Sequence, residues 1–435
     1  MPMNEGRYAI KKLSSIVVIL IQPTGMRERL RVDSPSDAWE HFNAAGQRRL
    51  RIAVVTETWP PEVNGVAMTT HRLVSCIAQR HDITLVRTRQ RAGRPGIPVA
   101  GVVDQVMPAV PLPLYTELRA GLPVTGRLRR QWQRVRPDLV HVITEGPLGW
   151  SAIRAARRLK IPVISDFHTN FHQYTKHYGF GIFQLVALSY LRYLHNQTRL
   201  TLVPTQALAR ELSAQGFRDL DILSRGVDTQ RFDPKWRCPD LRAQWGAREE
   251  DRVLLTVSRI APEKNLPLAL AAFTQVKRRF PGLRMVVVGD GPTRAQAAAQ
   301  YPDVIFAGMQ TGDALSRHYA SADLFVFPSL SETFGNVTLE ALASGLPVVA
   351  FDYAAAQETV VNGRNGFRVD TRDDQGFIAA VENLVGALVR KPAGLSEMRQ
   401  AARETAARLD WQRICQRYES LLLQIGGEGA HVAQA

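Results

Sequence analysis

The stretch DLFVFPSLSETFGNVTLEALASGLPVVAF, residues 323–351, holds one complete folding unit. Leu324 to Phe327 is apolar without interruption, the mark of a strand covered on both faces in a parallel sheet. Pro328 to Asn336 has loop composition, a helix holding Glu340 is expected from about Val337, and Gly345-Leu346-Pro347 ends it before a second apolar strand, Val348 to Phe351. Strand, loop, helix, strand is a parallel βαβ unit. Its loop sets the free amides of a helix N-terminus, equivalent to roughly half a positive charge, at the carboxyl end of a strand, where an anion is expected to bind. Glu332 and Glu340 flank that point. A carboxylate accepts from hydroxyls and cannot itself hold a phosphate, so their expected partners are sugar and ribose hydroxyls.

The same alternation extends over the rest of the chain. Arg252 to Val257, Arg284 to Val288 and Val304 to Phe306 read as strands, with an amphipathic helix at Leu266 to Phe280, apolar at Leu266, Leu270, Phe273 and Val276. Upstream, Arg51 to Val55, Asp82 to Val86, Leu139 to Ile143 and Pro162 to Ser165 repeat the plan. The fold class is therefore α/β, with two doubly wound domains. Such sheets bind ligands outside the carboxyl ends of their strands, so two of them facing each other make a cleft at the boundary, placed near Asp228. The expected division is an N-terminal extension at 1–47, a first domain at 48–228, a second at 229–410 and a final helix and tail at 411–435.

Length and composition agree. At about 150 residues per domain, 435 residues make two or three domains, and 45% hydrophobic residues supply their cores. Charged residues at 22%, with 31 Gly and 25 Pro, exclude collagen-like, low-complexity and coiled-coil chains. No apolar run approaches the roughly 20 residues of a membrane span. Ile16 to Ile21, behind Lys11 and Lys12, is short, and Gln22-Pro23-Thr24-Gly25 after it makes a poor signal-cleavage site. Cys76, Cys238 and Cys415 are odd in number and far apart, so neither a disulfide framework nor a metal set is expected, and a reducing cytoplasm fits.

The net charge of +15 is uneven: residues 48–228 carry 25 Lys and Arg against 12 Asp and Glu, and residues from 229 onward carry 24 against 23. Arg127, Arg129, Arg130, Arg134 and Arg136 fall in one expected helix, and Arg154, Arg157, Arg158 and Lys160 in the next. These faces suit an anionic membrane surface, though solvated helix faces have the same composition. Nucleic acid is not expected as a partner, because no zinc-finger spacing, ribonucleoprotein aromatic signature or helix-turn-helix is present.

Neither usual nucleotide fingerprint occurs. Gly289-Asp290-Gly291-Pro292-Thr293-Arg294 follows a strand but has Arg294 where a dinucleotide loop needs its third glycine, and no Gly-Lys-Ser/Thr triplet makes a phosphate loop. Ser258-Arg259-Ile260-Ala261-Pro262-Glu263-Lys264-Asn265, however, follows a strand end with cations five positions apart, Arg259 and Lys264. Together they suit a diphosphate. Such charge-assisted contacts contribute roughly 1.5–3 kcal/mol each, and they strengthen as a leaving diphosphate gains charge. No metal or cofactor is expected.

At these residues the chain resembles the retaining glycosyltransferases of family 4, also called group 1, which have the two-domain GT-B architecture. The likeness runs from about Arg51 to Leu422, on Pro60-Pro61-Glu62-Val63-Asn64-Gly65-Val66, Asp166-Phe167-His168-Thr169, Gly226-Val227-Asp228 with Arg231-Phe232, the Ser258 to Asn265 segment, Gly289-Asp290-Gly291-Pro292, and the paired glutamates. The resemblance implies that Arg259 and Lys264 bind the donor diphosphate, Glu332 the transferred sugar and Glu340 the ribose. It further implies that His168 contacts the donor sugar, with Asp166 behind it, and that Gly65, Gly289, Gly291, Thr333, Phe334, Gly335 and Asn336 shape the donor site. Asn64, Tyr174 and Lys176 are expected on the acceptor side, where Phe171, His172, His177 and Tyr178 either stack on acceptor or pack between helices. The subgroup it most resembles uses GDP-mannose, or a UDP-sugar such as UDP-glucose, UDP-galactose or UDP-sulfoquinovose, to glycosylate lipids or glycans. A nucleotide-sugar epimerase and a non-catalytic sugar-nucleotide-binding protein are the rival readings. The expected location is cytoplasmic, peripheral on the inner face of the plasma membrane.

Overall fold

The structure, a computed structural model, describes residues 48–62, 64–90, 95–112, 115–168, 181–332, 334–390 and 393–433, without side chains at 112–118, 181–184 and 428–433. The expected extension at 1–47 lies outside them. Two parallel sheets organise the chain. The first takes β1 (Arg51–Thr56), β2 (Asp82–Thr88) and β3 (Val102–Met107); an antiparallel hairpin of β4 (Ala109–Leu112) and β5 (Tyr115–Gly121) stands apart; β6 (Leu139–Val142), β7 (Val163–Asp166), β8 (Leu200–Val203) and β9 (Leu220–Ile222) complete it. Its order is β3-β2-β1-β6-β7-β8-β9. The second contains β10 (Val253–Val257), β11 (Arg284–Val288), β12 (Ile305–Gly308), β13 (Leu324–Phe327), β14 (Val348–Phe351) and β15 (Gly366–Val369), in the order β12-β11-β10-β13-β14-β15.

All nine strands read from apolar runs are present, with ends shifted by a residue or two. Six lay outside that reading. β3 places Asp104 and Gln105 mid-strand on an exposed edge, β8, β9 and β15 are only three or four residues long, and β4 and β5 form a hairpin outside the α/β alternation. β10, β13 and β14 are buried at every position because helices cover both faces. Their side chains alternate: Leu255, Phe325 and Phe327 pack with Leu339 on one side, while Leu254, Leu324 and Val326 meet Phe273 on the other. In both sheets the strand order reverses at a switch point, between β1 and β6 and between β10 and β13, which fixes where ligands approach.

The basic helices are Thr125–Arg134 and Pro147–Arg158, so Arg136 and Lys160 fall just beyond their ends; every named cation on them is exposed. No helix among the described residues is long and apolar enough to cross a membrane.

The chain closes with the helix Trp411–Ala433, whose Ile414, Tyr418, Leu421, Leu422 and Ile425 share a core with Leu50 just ahead of β1, Ile52 and Val54 of β1, and Leu73 of the Gly65–Ile77 helix. That return corrects the expectation about cysteines. Cys415 on the closing helix and Cys76 on the Gly65–Ile77 helix form a disulfide across 339 positions, with Cα atoms 6.3 Å apart, inside the normal span. Sequence spacing carries no trace of a pairing made by two distant segments meeting in space.

Candidate functional site

The second sheet supplies one wall. After β10, Arg259 leaves the sheet with a 72% exposed side chain and donates from Nη2 to Glu263 Oε1 at 2.7 Å. A short 3-10 turn, Pro262–Lys264, and Asn265 in the left-handed region (φ +51°) then deliver Lys264 just ahead of the helix Leu266–Arg279. Lys264 Nζ donates to Glu332 Oε1 at 2.5 Å and to the Ser331 carbonyl at 3.2 Å, and Ser329 Oγ donates to the same Glu332 oxygen at 2.8 Å. The expected diphosphate cation and the expected sugar carboxylate thus hold each other. Gly335, at φ +90°, turns the chain into the helix Asn336–Ala343, a conformation that favours glycine.

Glu340 sits one turn into that helix, outside the cleft lining. Tyr319 donates to its Oε2 at 2.9 Å. Burial raises its carboxyl above the usual 4.5, against the Tyr319 hydrogen bond and the charge of Arg231, which act to lower it. Gly289 and Gly291 also stay out of the lining and do something else. A Cβ on Gly289 would stand 1.8 Å from the Ser258 carbonyl oxygen, and one on Gly291 would stand 2.1 Å from that of Ile260. Missing side chains let the two loops stack, joined by the Ile260 N–H to Asp290 carbonyl bond at 2.8 Å.

The first sheet supplies the facing wall. Asn64 caps the Gly65–Ile77 helix, its Oδ1 accepting from Ala67 N at 2.8 Å while its Nδ2 donates to Thr58 Oγ1 at 2.7 Å. A Cβ on Gly65 would meet nothing within 4 Å, so the chain is bare to the cleft there. Between the walls lies a cleft of about 590 Å³ that brings together Asn64, Gly65, Arg259, Lys264, Glu332, Phe334, Gly335 and Asn336. That volume is ordinary for a small-molecule site.

His168 is not in this lining. Its Nδ1 accepts from Arg225 Nη2 at 3.1 Å, and its Nε2 faces Asp166 Oδ2 at 3.3 Å. Asp166 Oδ1 in turn meets His141 Nε2 at 2.8 Å, and His141 Nδ1 meets the Tyr418 hydroxyl at 2.6 Å. Burial acts to raise the Asp166 carboxyl, but His141 and His168 outweigh it and hold it well below its usual 3.8.

Several residues that the sequence reading passed over line the cleft, Arg225 and Glu57 among them. Arg225 precedes the Gly226-Val227-Asp228 motif directly, and that position is the signal available in the sequence. Burial lowers its guanidinium to about 10, with Asp166 opposing. Glu57 follows β1, and its Oε1 accepts from Leu148 N at 2.8 Å and Gly121 N at 3.2 Å. Burial raises its carboxyl, those backbone bonds lower it, and Glu145 adds to the rise, which prevails. Thr333, Tyr174 and Lys176 lie outside the described residues, as do Thr169, Phe171, His172, His177 and Tyr178. Among the described residues no group of three or more His, Cys, Asp or Glu is arranged to hold a metal ion.

The chain is similar to known proteins. Residues 63–231 match the family Glycosyltransferase Family 4, and residues 251–387 match Glycosyl transferases group 1. The chain is 32% identical over 376 residues to a GDP-mannose-dependent alpha-mannosyltransferase of Mycobacterium tuberculosis, covering 84% of this chain and 94% of that one. It is 31% identical to the sulfoquinovosyl transferase SQD2 of Arabidopsis thaliana, over 69% of this chain and 59% of the relative. Among solved structures, a sucrose-phosphate synthase from Thermosynechococcus elongatus superposes with a TM-score of 0.68 at 18% identity, covering 87% of this chain and all of that one, which speaks for the fold alone.

Proposed function

The chain belongs to the family 4, group 1 glycosyltransferases, and from that premise we propose that it transfers mannose from GDP-mannose, with retention of configuration and without a metal, to a lipid or glycan acceptor. One observation carries the reading: Arg259, Lys264 and Glu332 from the second sheet share one cleft with Gly65 and Arg225 from the first. In that cleft Arg259, Lys264 and the amides at Gly335 and Asn336 take up the charge that grows on the departing nucleoside diphosphate. Glu332 holds sugar hydroxyls, and the leaving phosphate accepts the proton of the attacking acceptor hydroxyl on the same face. Because Lys264 is paired with Glu332, donor binding inserts a diphosphate and a hydroxyl into a contact that already neutralises both groups. The chemistry is positional and electrostatic.

The donor assignment follows the mannosyltransferase relative, which is similar over most of both chains. Transfer from a UDP-sugar, sulfoquinovosyl, glucosyl or galactosyl, is the second reading, favoured by the similarity to SQD2. A lipid acceptor is supported by the first half of the chain. The helix Gly181–His195 exposes Leu185 at 65%, Val186 at 62% and Tyr193 at 62%, and the same half carries the exposed arginines of Thr125–Arg134 and Pro147–Arg158. Apolar insertion with basic flanks suits peripheral attachment to an anionic leaflet, at about 1 kcal/mol per cation near the surface.

Thermal shifts with GDP and UDP, each with and without magnesium, test the donor. Stabilisation by GDP alone, independent of magnesium, is expected, followed by turnover of GDP-mannose with a lipid extract. Stabilisation by UDP alone moves the donor to the second reading, and no shift with either refutes both. Flotation with vesicles containing phosphatidylglycerol should retain the protein at low salt and release it as salt rises.

A further inference from the structure

A structural guanidinium in this protein has a recognisable form. Arg242, 5% exposed, donates from Nη1 to the Ser321 carbonyl and Asp323 Oδ2 and from Nη2 to the Arg248 and Asp251 carbonyls, all at 2.9 Å. Four acceptors, one of them charged, replace the water it gave up. Arg225 is just as buried, at 5% exposed, yet its hydrogen bonding among the described residues is the single bond to His168 Nδ1. Its other nitrogens are not among the sealed side-chain atoms lacking a partner, and the residue lines both the cleft and a small pocket beside Asp166 and His168. A buried cation with donors to spare, sharing a cleft with Arg259 and Lys264, is complementary to an anion with several acceptor oxygens.

We propose that Arg225 is a donor-binding residue of the first half of the chain, its guanidinium contacting the diphosphate of the nucleotide sugar together with Arg259 and Lys264, and that His168 is the residue that positions it. The inference rests on the nucleotide-sugar reading above and adds to it. An arginine can only donate, so His168 must accept at Nδ1 and carry its ring proton on Nε2, toward Asp166. Of the two ring nitrogens, Nδ1 is the one hydrogen-bonded among the described residues while Nε2 faces Asp166 at 3.3 Å, so His168 acts on Arg225 through Nδ1. The chain behind it, Asp166 to His141 to Tyr418, ends on the closing helix, which fixes the imidazole from a rigid element. A diphosphate reached from both sheets also holds the two walls of the cleft together.

Titration calorimetry of the full chain with GDP and with GMP tests this, since GMP lacks the second phosphate. Arg225→Met is expected to weaken GDP binding by about tenfold or more, the loss of one charge-assisted contact, while GMP affinity stays within about threefold. Arg225→Lys falls between. His168→Ala should reproduce the selective loss, and His168→Gln, whose amide oxygen can accept from Arg225, should recover most of it; a merely structural histidine would not separate GDP from GMP in this way. Melting curves identify variants that fold, and if Arg225→Met does not, Arg225→Lys and the two His168 variants carry the test. Wild-type GDP affinity in a folded Arg225 variant overturns the inference alone. A wild-type chain that binds neither GDP nor UDP overturns the nucleotide-sugar reading beneath it; if UDP is the ligand, UDP and UMP take the places of GDP and GMP.

Discussion

Replacing Gly291 by alanine should disable the enzyme from outside its cleft. The added Cβ would stand 2.1 Å from the Ile260 carbonyl oxygen and 2.7 Å from its carbonyl carbon, about 0.9 Å inside the 3.0 Å below which real Cβ contacts do not occur. Both obstructing atoms are backbone, and neither loop can withdraw freely because the Ile260 N–H to Asp290 carbonyl bond ties them. Ile260 follows Arg259 directly, so relief of the clash displaces the guanidinium by an amount comparable to the overlap. A misplacement of about 1 Å at a reacting group lowers rate by about a hundredfold, or roughly 2.7 kcal/mol, whereas overpacking at such a site destabilises the fold by about 1–3 kcal/mol. In steady-state kinetics with GDP-mannose, kcat/KM should therefore fall by about two orders of magnitude, with a melting temperature lower by only about 2–4 °C per kcal/mol. Gly394→Ala, whose Cβ would meet nothing within 4 Å, is the control and should leave both unchanged or raise stability slightly. A Gly291→Ala enzyme with near-wild-type kcat/KM but a lowered melting point would refute the reasoning, because the Gly289 side of the contact would then have absorbed the clash without moving Arg259.

Other perturbations have equally definite outcomes. Glu340 has a folded value above the ordinary 4.5, so stability contributed by this site falls as pH rises through 4.5 to that higher value and stays reduced beyond it. Glu340→Gln should thus melt at the same temperature or higher at pH 7.5 while binding GDP at least about tenfold more weakly, and a variant that melts lower with normal affinity would reverse the assignment. Asp166 behaves oppositely: its folded value lies below 3.8, so its stabilisation is complete above that range and is lost as pH falls through 3.8 toward the folded value. The melting-point gap between wild type and Asp166→Asn should be widest above pH 5 and narrow toward pH 3; a gap that grows on acidification would contradict the pairing with His141 and His168. Peptide mapping without reductant should recover Cys76 linked to Cys415, and the double serine variant should lose about 2–4 kcal/mol of stability, whereas recovery of two free thiols would remove the tether.

The amino-acid pattern carried the parallel strands because full burial leaves an unbroken apolar run, as in Leu324 to Phe327 and Val348 to Phe351. It carried Arg259, Lys264 and Glu332 because each lies in a loop directly after a strand, where topology sends it to the cleft. It could not carry partnerships made across the fold. That Lys264 neutralises Glu332, that Asn64 spends its side chain on a helix cap, and that His168 turns both nitrogens away toward Arg225 and Asp166 depend on distances between segments far apart in sequence. Arg225 was passed over for a related reason: its place before the Gly226-Val227-Asp228 motif is a weak signal, and its sparse bonding in a buried setting is visible in the fold alone. Gly226 itself is required by the closing helix, since a Cβ there would stand 2.5 Å from the Trp411 ring.

The closing helix also determines when the protein can finish folding during synthesis. The core around Leu50, Ile52 and Leu73 is assembled from those residues and from Ile414, Tyr418 and Leu421, made more than 300 positions later. Until Trp411 and the residues after it leave the ribosome, the first sheet exposes the apolar surface that this helix covers. At about 5–20 residues per second, the interval between Asp228 and Trp411 lasts roughly 10–40 s. The second sheet, whose core is drawn from Val227 onward, can complete itself before the first, reversing the usual N-to-C order. Nascent chains stalled just short of Trp411 should therefore offer chaperones the half of the protein that was translated first.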